Sequence, residues 1–504
     1  MSSSQQLKIG ILISYFAIGI NIITGLLYTP WMIRTIGKEN FGLYTLSLSV
    51  ISLFVFDFGL SAAVVRFITK YLAEGKQEKA NQCYGLVYRL YIILDIVLLI
   101  ILLIIYFFIP QIYRELTPAE IEQFKIVYCI TSLYSVFSFP FIPINGVLMA
   151  YEKIIQLKMC DVAHKLIIVG AMTICLLSGL GLYALVTVNA ISGVITILLK
   201  LFCIKKYTQQ RIYWKYFNRT EFKDILGYSG WVTIISLAQR CIFNIAPSIL
   251  GALSGSASIA ILGIATTLEG YTYTIANAMN GVFLPKVSRI LYQGNGDVLP
   301  LMVRVARLQI LVIGLIILGV ICFGLNFILL WVGDGFTESY ICAVLIIVPS
   351  LFQLPQEIGL QSIYAKNKVK PLAKVFINMA ICSIVFSMLL AKSFGATGIG
   401  IAVCLAYFLR TIGMDVILKK DLNINIFAFV KDSFGVFILP LFVCFIIGLV
   451  IEQYLPISGW AGLIIKVVLF CVFYVLINYV FVLNKSEKQL LLSPIRKLLI
   501  KVGL

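Results

Sequence analysis

Histidine occurs once in this 504-residue chain, and charged residues of every kind make up only 12% of it. No Walker A sequence, HExxH, GxSxG or metal-spaced Cys/His set is present, so no catalytic residue, metal or cofactor is expected. The lone His164 stands beside Lys165 and near Asp161 at a helix end, a poor basis for a proton relay. None of the 12 cysteines has CxxC spacing, and nearly all fall in apolar runs, where they read as small buried hydrophobes. No polar stretch is long enough to fold as a separate soluble module.

What fills the chain instead is apolar sequence, with 61% hydrophobic residues and a mean hydropathy of +1.01. Runs of roughly 20 or more apolar residues, each able to cross about 30 Å of hydrocarbon as a helix, follow one another with short polar joints. They predict an all-α integral membrane protein of about fourteen transmembrane helices. The first seven spans fall near Ile9–Ile33, Leu43–Thr69, Tyr84–Ile109, Phe124–Ala150, Met159–Ser178, Leu182–Ile204 and Ile225–Leu250. The others fall near Ser258–Leu284, Leu301–Trp331, Ile341–Tyr364, Leu372–Lys392, Gly395–Leu418, Ser433–Ile451 and Gly459–Val482. The first run is too long for a signal-peptide core and is expected to be retained.

A formal charge of +18 invites a nucleic-acid reading, but the 40 Lys and Arg sit on alternate joints. One set holds Lys70/Lys76/Lys79, Lys153/Lys158, Lys205/Lys206/Arg211/Lys215/Arg219, Lys286/Arg289, Lys366/Lys368/Lys370 and Lys419/Lys420/Lys431. The tail adds Lys485, Lys488, Arg496, Lys497 and Lys501, whereas the opposite joints are nearly free of basic residues beyond Arg34/Lys38 and Arg114/Lys125. This is a positive-inside pattern with both termini cytoplasmic. The basic joints are expected to meet anionic membrane lipids, and no nucleic-acid partner is expected.

The longest cytoplasmic joint, residues 205–224, follows the sixth span and reads as a linker. Pro30 before one short Gly-containing joint and Pro247 before another suggest two six-helix halves, 1–204 and 225–420, related by a pseudo-twofold along the membrane normal. Residues 421–504 then add two C-terminal helices and a cytoplasmic tail.

IRTIGKENFGLYTL at 33–46, FVFDFGLSAAVVRFITKYLAEG at 54–75 and NGVLMAYEKI at 145–154 resemble the polysaccharide transporter branch of the MOP flippase superfamily, the Wzx type. The resemblance implies an undecaprenyl-diphosphate-linked oligosaccharide as substrate, flipped from the inner to the outer leaflet of a bacterial plasma membrane for O-antigen or capsule synthesis. Energy then comes from the substrate's own gradient or from a coupling ion, H+ or Na+, and a polysaccharide polymerase is the partner downstream. The competing readings are a MATE-like drug or cation antiporter and, in another class, a membrane polymerase or glycosyltransferase. The last needs a sizeable outside loop, and the first one here is only RTIGKENFG.

Depth singles out the intramembrane charges that need an explanation. Arg240 lies about 22 Å along the seventh span, too deep to snorkel. With Glu269, Asn244, Asn277, Tyr271 and Tyr273 it forms either a buried structural cluster or a cavity that stacks sugar rings and holds a diphosphate. Asp57 and Arg89, at similar depth on neighbouring spans, are expected to pair, as a structural bridge or as a gate, with Asp95 within reach. Arg34 and Arg66 lie near opposite surfaces, where they snorkel or make gating contacts. Glu357 follows Pro355 in a helix expected to break there, as a kinked-helix charge or an ion site. Lys466 is placed within snorkelling reach of the outer surface.

Overall fold

The computed structural model describes residues 3–55, 57–214, 216, 218–278, 298–366, 368–484 and 487–488. Every regular element among them is helical, as lipid requires of a chain that must satisfy its own backbone groups. Ten stretches are long and apolar enough to cross a membrane by length and composition. Side chains such as Phe107, Leu389, Phe442 and Phe481 project outward from them, an apolar exterior that only lipid covers. Lys215, Lys286, Arg289, Lys485, Arg496, Lys497, Lys501 and the side chain of Asn277 lie outside the described residues.

The chain divides into two compact units. The first, residues 1–267 and 369–406, contains α1 (Ser3–Ile36), α2 (Lys38–Phe54), α3 (Leu60–Ala73), α4 (Gln77–Ile112), α5 (Pro118–Ser138), α6 (Ile144–Ala150), α7 (Ile154–Leu177) and α8 (Leu182–Tyr207). It also takes in α9 (Arg219–Asn244), α10 (Ala246–Leu253) and most of α11 (Ser256–Ala278). Within it α1 packs on α7, α2 on α5 and α3 on α6. The start of α5 shows how local sequence sets a helix end: Thr117 and Glu120 form a capping box, Thr117 N–H donating to Glu120 Oε2 at 2.8 Å, with Pro118 in the first turn.

One expectation changes in this unit. The span expected over 43–69 is two helices, α2 and α3, separated at residues 55–59. The joint read as a linker is hydrogen-bonded to α4 near its start. Gln210 Nε2 donates to Ala80 O at 3.1 Å, and Arg211 N–H donates to Asn81 Oδ1 at 2.9 Å. The two prolines also differ in setting, since Pro30 lies inside α1 while Pro247 opens α10.

The second unit, residues 268–368 and 407–504, holds α12 (Leu299–Val332), α13 (Thr337–Ile347), α14 (Ser350–Gln353) and α15 (Glu357–Ala365). Next come the end of α16 (Val369–Leu422), then α17 (Ile426–Val430), α18 (Ile438–Tyr454) and α19 (Gly459–Phe481). At about 1.5 Å per residue the 54 residues of α16 run to about 80 Å, far beyond one bilayer, and the axis turns at Gly395, which holds φ 52° and ψ −132°. The helix break expected at Pro355 is there, as a 3-10 turn over Leu354–Gln356.

Aromatic and thiol side chains join α12 to the last two helices: Cys322 and Phe323 meet Cys444, Phe470 and Tyr474, and Phe323 lies edge-on to Phe470 at 5.5 Å. A methyl group at Gly448 would come within 2.5 Å of Cys322 Sγ, so the close approach there needs glycine.

Arg307, near the start of α12, ties this bundle to the tail. Its Nε donates to Glu487 Oε1 at 2.7 Å, and its Nη2 donates to Glu487 Oε2 at 3.0 Å and to Val482 O at 2.7 Å. Burial alone would raise the Glu487 carboxyl, but the Arg307 guanidinium and the Asn484 N–H outweigh it and hold the group below its ordinary range. The contribution of such a depressed carboxylate is complete above its unfolded value of about 4.3 and is lost as pH falls through the folded one. Glu487→Gln at neutral pH is expected to speed tryptic cleavage after Lys488 by about tenfold or more, because loss of one charged partner costs at least about 1.4 kcal/mol. Unchanged cleavage would show that the tail is held by something else.

Candidate functional site

Each unit carries its own buried polar cluster, and the candidate site residues, which the sequence groups as an Arg240–Glu269 cluster, an Asp57–Arg89 pair and separate charges, fall in both units. Arg240, Asn244, Asp57, Arg89, Arg34 and Arg66 belong to the first unit, and Glu269, Tyr271, Tyr273 and Glu357 to the second.

The cluster of the first unit forms around the broken helix. The break between α2 and α3 leaves the carbonyl end of one helix and the amide end of the next within the span, with partial negative and positive charge respectively. Arg240 and Asp57 stand where these dipoles favour them. Arg240 Nη1 donates to Ser52 O, in the last turn of α2, at 2.5 Å. Asp57 accepts from Ser61 N–H at 3.0 Å, from Ser61 Oγ at 2.5 Å and from the Tyr91 hydroxyl at 2.6 Å, and thereby caps α3. The Asp57 carboxylate also interacts electrostatically with Arg240.

The turn itself is unusual, because Phe58 takes φ 52° before Gly59 at φ 67°. A bulky residue in the left-handed region costs about 1–3 kcal/mol and persists only where its surroundings hold it. Thr233 Oγ1 does so by donating to Phe58 O at 2.6 Å, and the Tyr91 hydroxyl also lies 2.9 Å from Asp57 O. The expected Asp57–Arg89 ion pair does not form, since the carboxylate is committed to the α3 terminus and to Tyr91. Asp95 does not join this network either, and its Oδ1 is buried without a hydrogen bond. Asn244 is half-buried, while Arg34 and Arg66 are exposed at helix positions from which they reach a surface.

The cluster of the second unit centres on a residue the sequence reading passed over. Arg410, on α16, is 1% exposed. Its Nη1 donates to Gln356 Oε1 at 3.1 Å and to Gln353 O at 3.3 Å, at the 3-10 break. Gln356 in turn donates through Nε2 to Asp415 Oδ1 at 2.8 Å and to Thr411 O at 3.1 Å. Glu357, Tyr407, Tyr273 and Tyr364 are the other ionisable groups around the guanidinium. Glu357 accepts from Gln361 Nε2 at 2.9 Å. Glu269 is buried and has Tyr407 as an ionisable neighbour, Tyr271 is half-buried and Tyr273 is exposed. A break that frees backbone carbonyls beside carboxylates, an amide relay and a guanidinium can hold a proton or a small cation, or can serve only to keep charges neutralised in lipid. Among the described residues no group of three or more His, Cys, Asp or Glu is placed to hold a metal ion.

The family described as "Polysaccharide biosynthesis protein" matches residues 7–291. Curated protein sequences give no significant match. Among solved structures, the lipid II flippase MurJ in an inward closed conformation superimposes with a TM-score of 0.74 at 14% identity, over 94% of this chain and 98% of that one. An inward-facing multidrug resistance MATE family transporter of the MOP superfamily gives 0.66 at 13% identity, over 82% and 96%. A MOP superfamily transporter from Pyrococcus furiosus gives 0.56 at 14% identity, over 82% and 94%. At these identities the likeness is one of fold, shared with the lipid II flippase and with MATE family transporters.

Proposed function

The chain belongs to the polysaccharide biosynthesis protein family, and from that premise we propose that it is a flippase for a polyprenyl-diphosphate-linked oligosaccharide repeat unit. It carries the unit from the inner to the outer leaflet of a bacterial plasma membrane by alternating access, and a polysaccharide polymerase takes the product. The family match carries this reading, because the matched residues 7–291 include both the broken second span and Arg240. The fold shared with a lipid II flippase supports it.

On this reading fourteen spans arrange as two six-helix halves, 1–204 and 225–420, with two further helices over 421–504 and both termini in the cytoplasm. Arg240 offers the diphosphate a planar fork that carbonyl and phosphate oxygens compete for, and Asn244 adds hydrogen bonds beside it. Tyr271 and Tyr273 stack on sugar rings, and Glu269 balances positive charge when no substrate is bound. Asp57 gates the cytoplasmic side by capping or releasing α3, with Arg66 and Arg89 on the same side and Arg34 at the opposite mouth. Glu357, beside Arg410, is the place for a coupling H+ or Na+.

The MATE likeness gives a second reading, an antiporter of drugs or organic cations. A guanidinium at the break works against it, since it repels cationic cargo. Expression of the full chain in a host that makes a matching repeat unit but lacks its own flippase separates the two. Restored surface polysaccharide, with fewer lipid-linked units held in the inner leaflet, is the expected result. Efflux of a cationic dye with no surface polysaccharide would overturn it.

A further inference from the structure

At the end of α12 remote from Arg307, a cavity of about 440 Å³ opens between that helix and the α18–α19 turn. Its size falls in the range of small-molecule sites, about 300–1,000 Å³. Asn326, Ser458 and Lys466 supply its polar wall, and Leu329, Leu330 and Leu463 its apolar one. The sequence places Lys466 where it snorkels to a surface, but the side chain is 6% exposed and bound instead to Glu452, Nζ to Oε2 at 3.2 Å. The other carboxylate oxygen of Glu452 accepts from Asn326 Nδ2. Glu452 remains partly exposed, and Ser458 makes no cap hydrogen bond at the start of α19.

The aromatic residues around this end fix its depth. Trp460 stands edge-on to Phe327 at 6.0 Å, Phe327 stacks on Trp331 at 5.3 Å, and Tyr454 and Trp460 are 72% and 47% exposed. Exposed Trp and Tyr at helix ends mark the boundary between hydrocarbon and headgroups. A polar cavity at that level, walled on one side by leucines, faces the headgroups of membrane lipids.

We propose that this cavity binds the phosphoethanolamine headgroup of a membrane phospholipid, with the phosphate on Lys466 and the ammonium on Glu452. The charge pattern selects the occupant. The Lys466–Glu452 pair has no net charge and presents one cation and one anion side by side, so it complements a zwitterion of reversed order. An anionic headgroup gains Lys466 but brings no cation to the Glu452 carboxylate; the hydroxyls of a glycerol headgroup can donate a hydrogen bond to it without neutralising its charge. A choline headgroup has the right charges but no N–H to donate to Glu452.

The test uses the full chain in detergent, mixed with lipids of equal acyl composition and read by native mass spectrometry. Phosphatidylethanolamine is expected to be retained at about one molecule per chain and about tenfold more than phosphatidylcholine or phosphatidylglycerol. Retention should fall stepwise through the N-methyl and N,N-dimethyl derivatives. Lys466→Met and Glu452→Gln should each abolish the preference. Equal retention of the three lipids, or a preference for phosphatidylglycerol or for a polyprenyl diphosphate, would overturn the proposal. The headgroup series on the unmodified chain decides the matter even where a variant fails to fold.

Discussion

Arg240→Ala is expected to lower surface polysaccharide by about 100-fold or more per unit of membrane-inserted protein, the loss that follows from removing one partner of a desolvated charge contact worth about 2.7 kcal/mol or more. Lipid-linked units should accumulate in the inner leaflet. Arg240→Lys should keep part of the activity, because an ammonium attracts phosphate as a point charge without the bidentate fork. A purely structural role makes a different forecast. Arg240 caps the carbonyl end of α2 and interacts electrostatically with Asp57, so as a structural group it would be dispensable once that charge is gone. The decisive variant therefore pairs Arg240→Met with Asp57→Asn, which retains hydrogen-bonding capacity toward Ser61 and Tyr91. Wild-type export from that double variant, at normal protein level, would remove Arg240 from the transport path. The expected result is full insertion with export well below that of Asp57→Asn alone, the single variant that reports the loss of the gate by itself.

The break before α3, and the part Asp57 plays at it, show where sequence and structure part. Hydropathy locates the helices well because lipid forces backbone groups to pair within a segment, so any long apolar run must be helical. The Pro355 break was legible for the same kind of reason, since proline removes a donor from the ladder. The break before α3 left no such mark. Phe54, Val55 and Phe58 keep the stretch apolar, and the only local signal was Gly59, in the left-handed region that glycine tolerates. Once the helix breaks, Asp57 becomes a cap, and the pairing with Arg89 inferred from equal depth on unbroken helices no longer holds. Arg307 and Glu487 lie 180 residues apart, and no sequence pattern announces so distant a bond. Depth alone places Lys466 at the surface, whereas its partner Glu452 sits across the turn in PISG. Arg410 is a different case, for YFLRTIGMD sets a guanidinium and a carboxylate five residues apart inside a span. The depth argument applied to Arg240 would have found it.

Arg410→Leu is expected to cost about 3–5 kcal/mol of stability, because it leaves carboxylates in a low-dielectric interior without their compensating cation. With Asp415 and Glu357 both near it, the guanidinium is what permits those groups to sit inside the helical bundle. For a unit of this size the loss corresponds to a fall in melting temperature of about 10 °C, read on the purified chain in detergent. Gln356→Leu should cost less, about 1.5–3 kcal/mol, since it breaks hydrogen bonds to the two charged groups while leaving both charges in place. If the relay couples them, Arg410→Leu and Asp415→Leu together should recover part of the loss. The non-additivity should disappear in the Gln356→Leu background, because Gln356 bonds to both partners. A melting temperature within about 2 °C of wild type for Arg410→Leu, below the shift that 1 kcal/mol produces, would show that the buried charges are balanced without it. Arg410 would then be free to serve ion coupling alone, and Arg410→Leu should uncouple transport in a chain that folds normally.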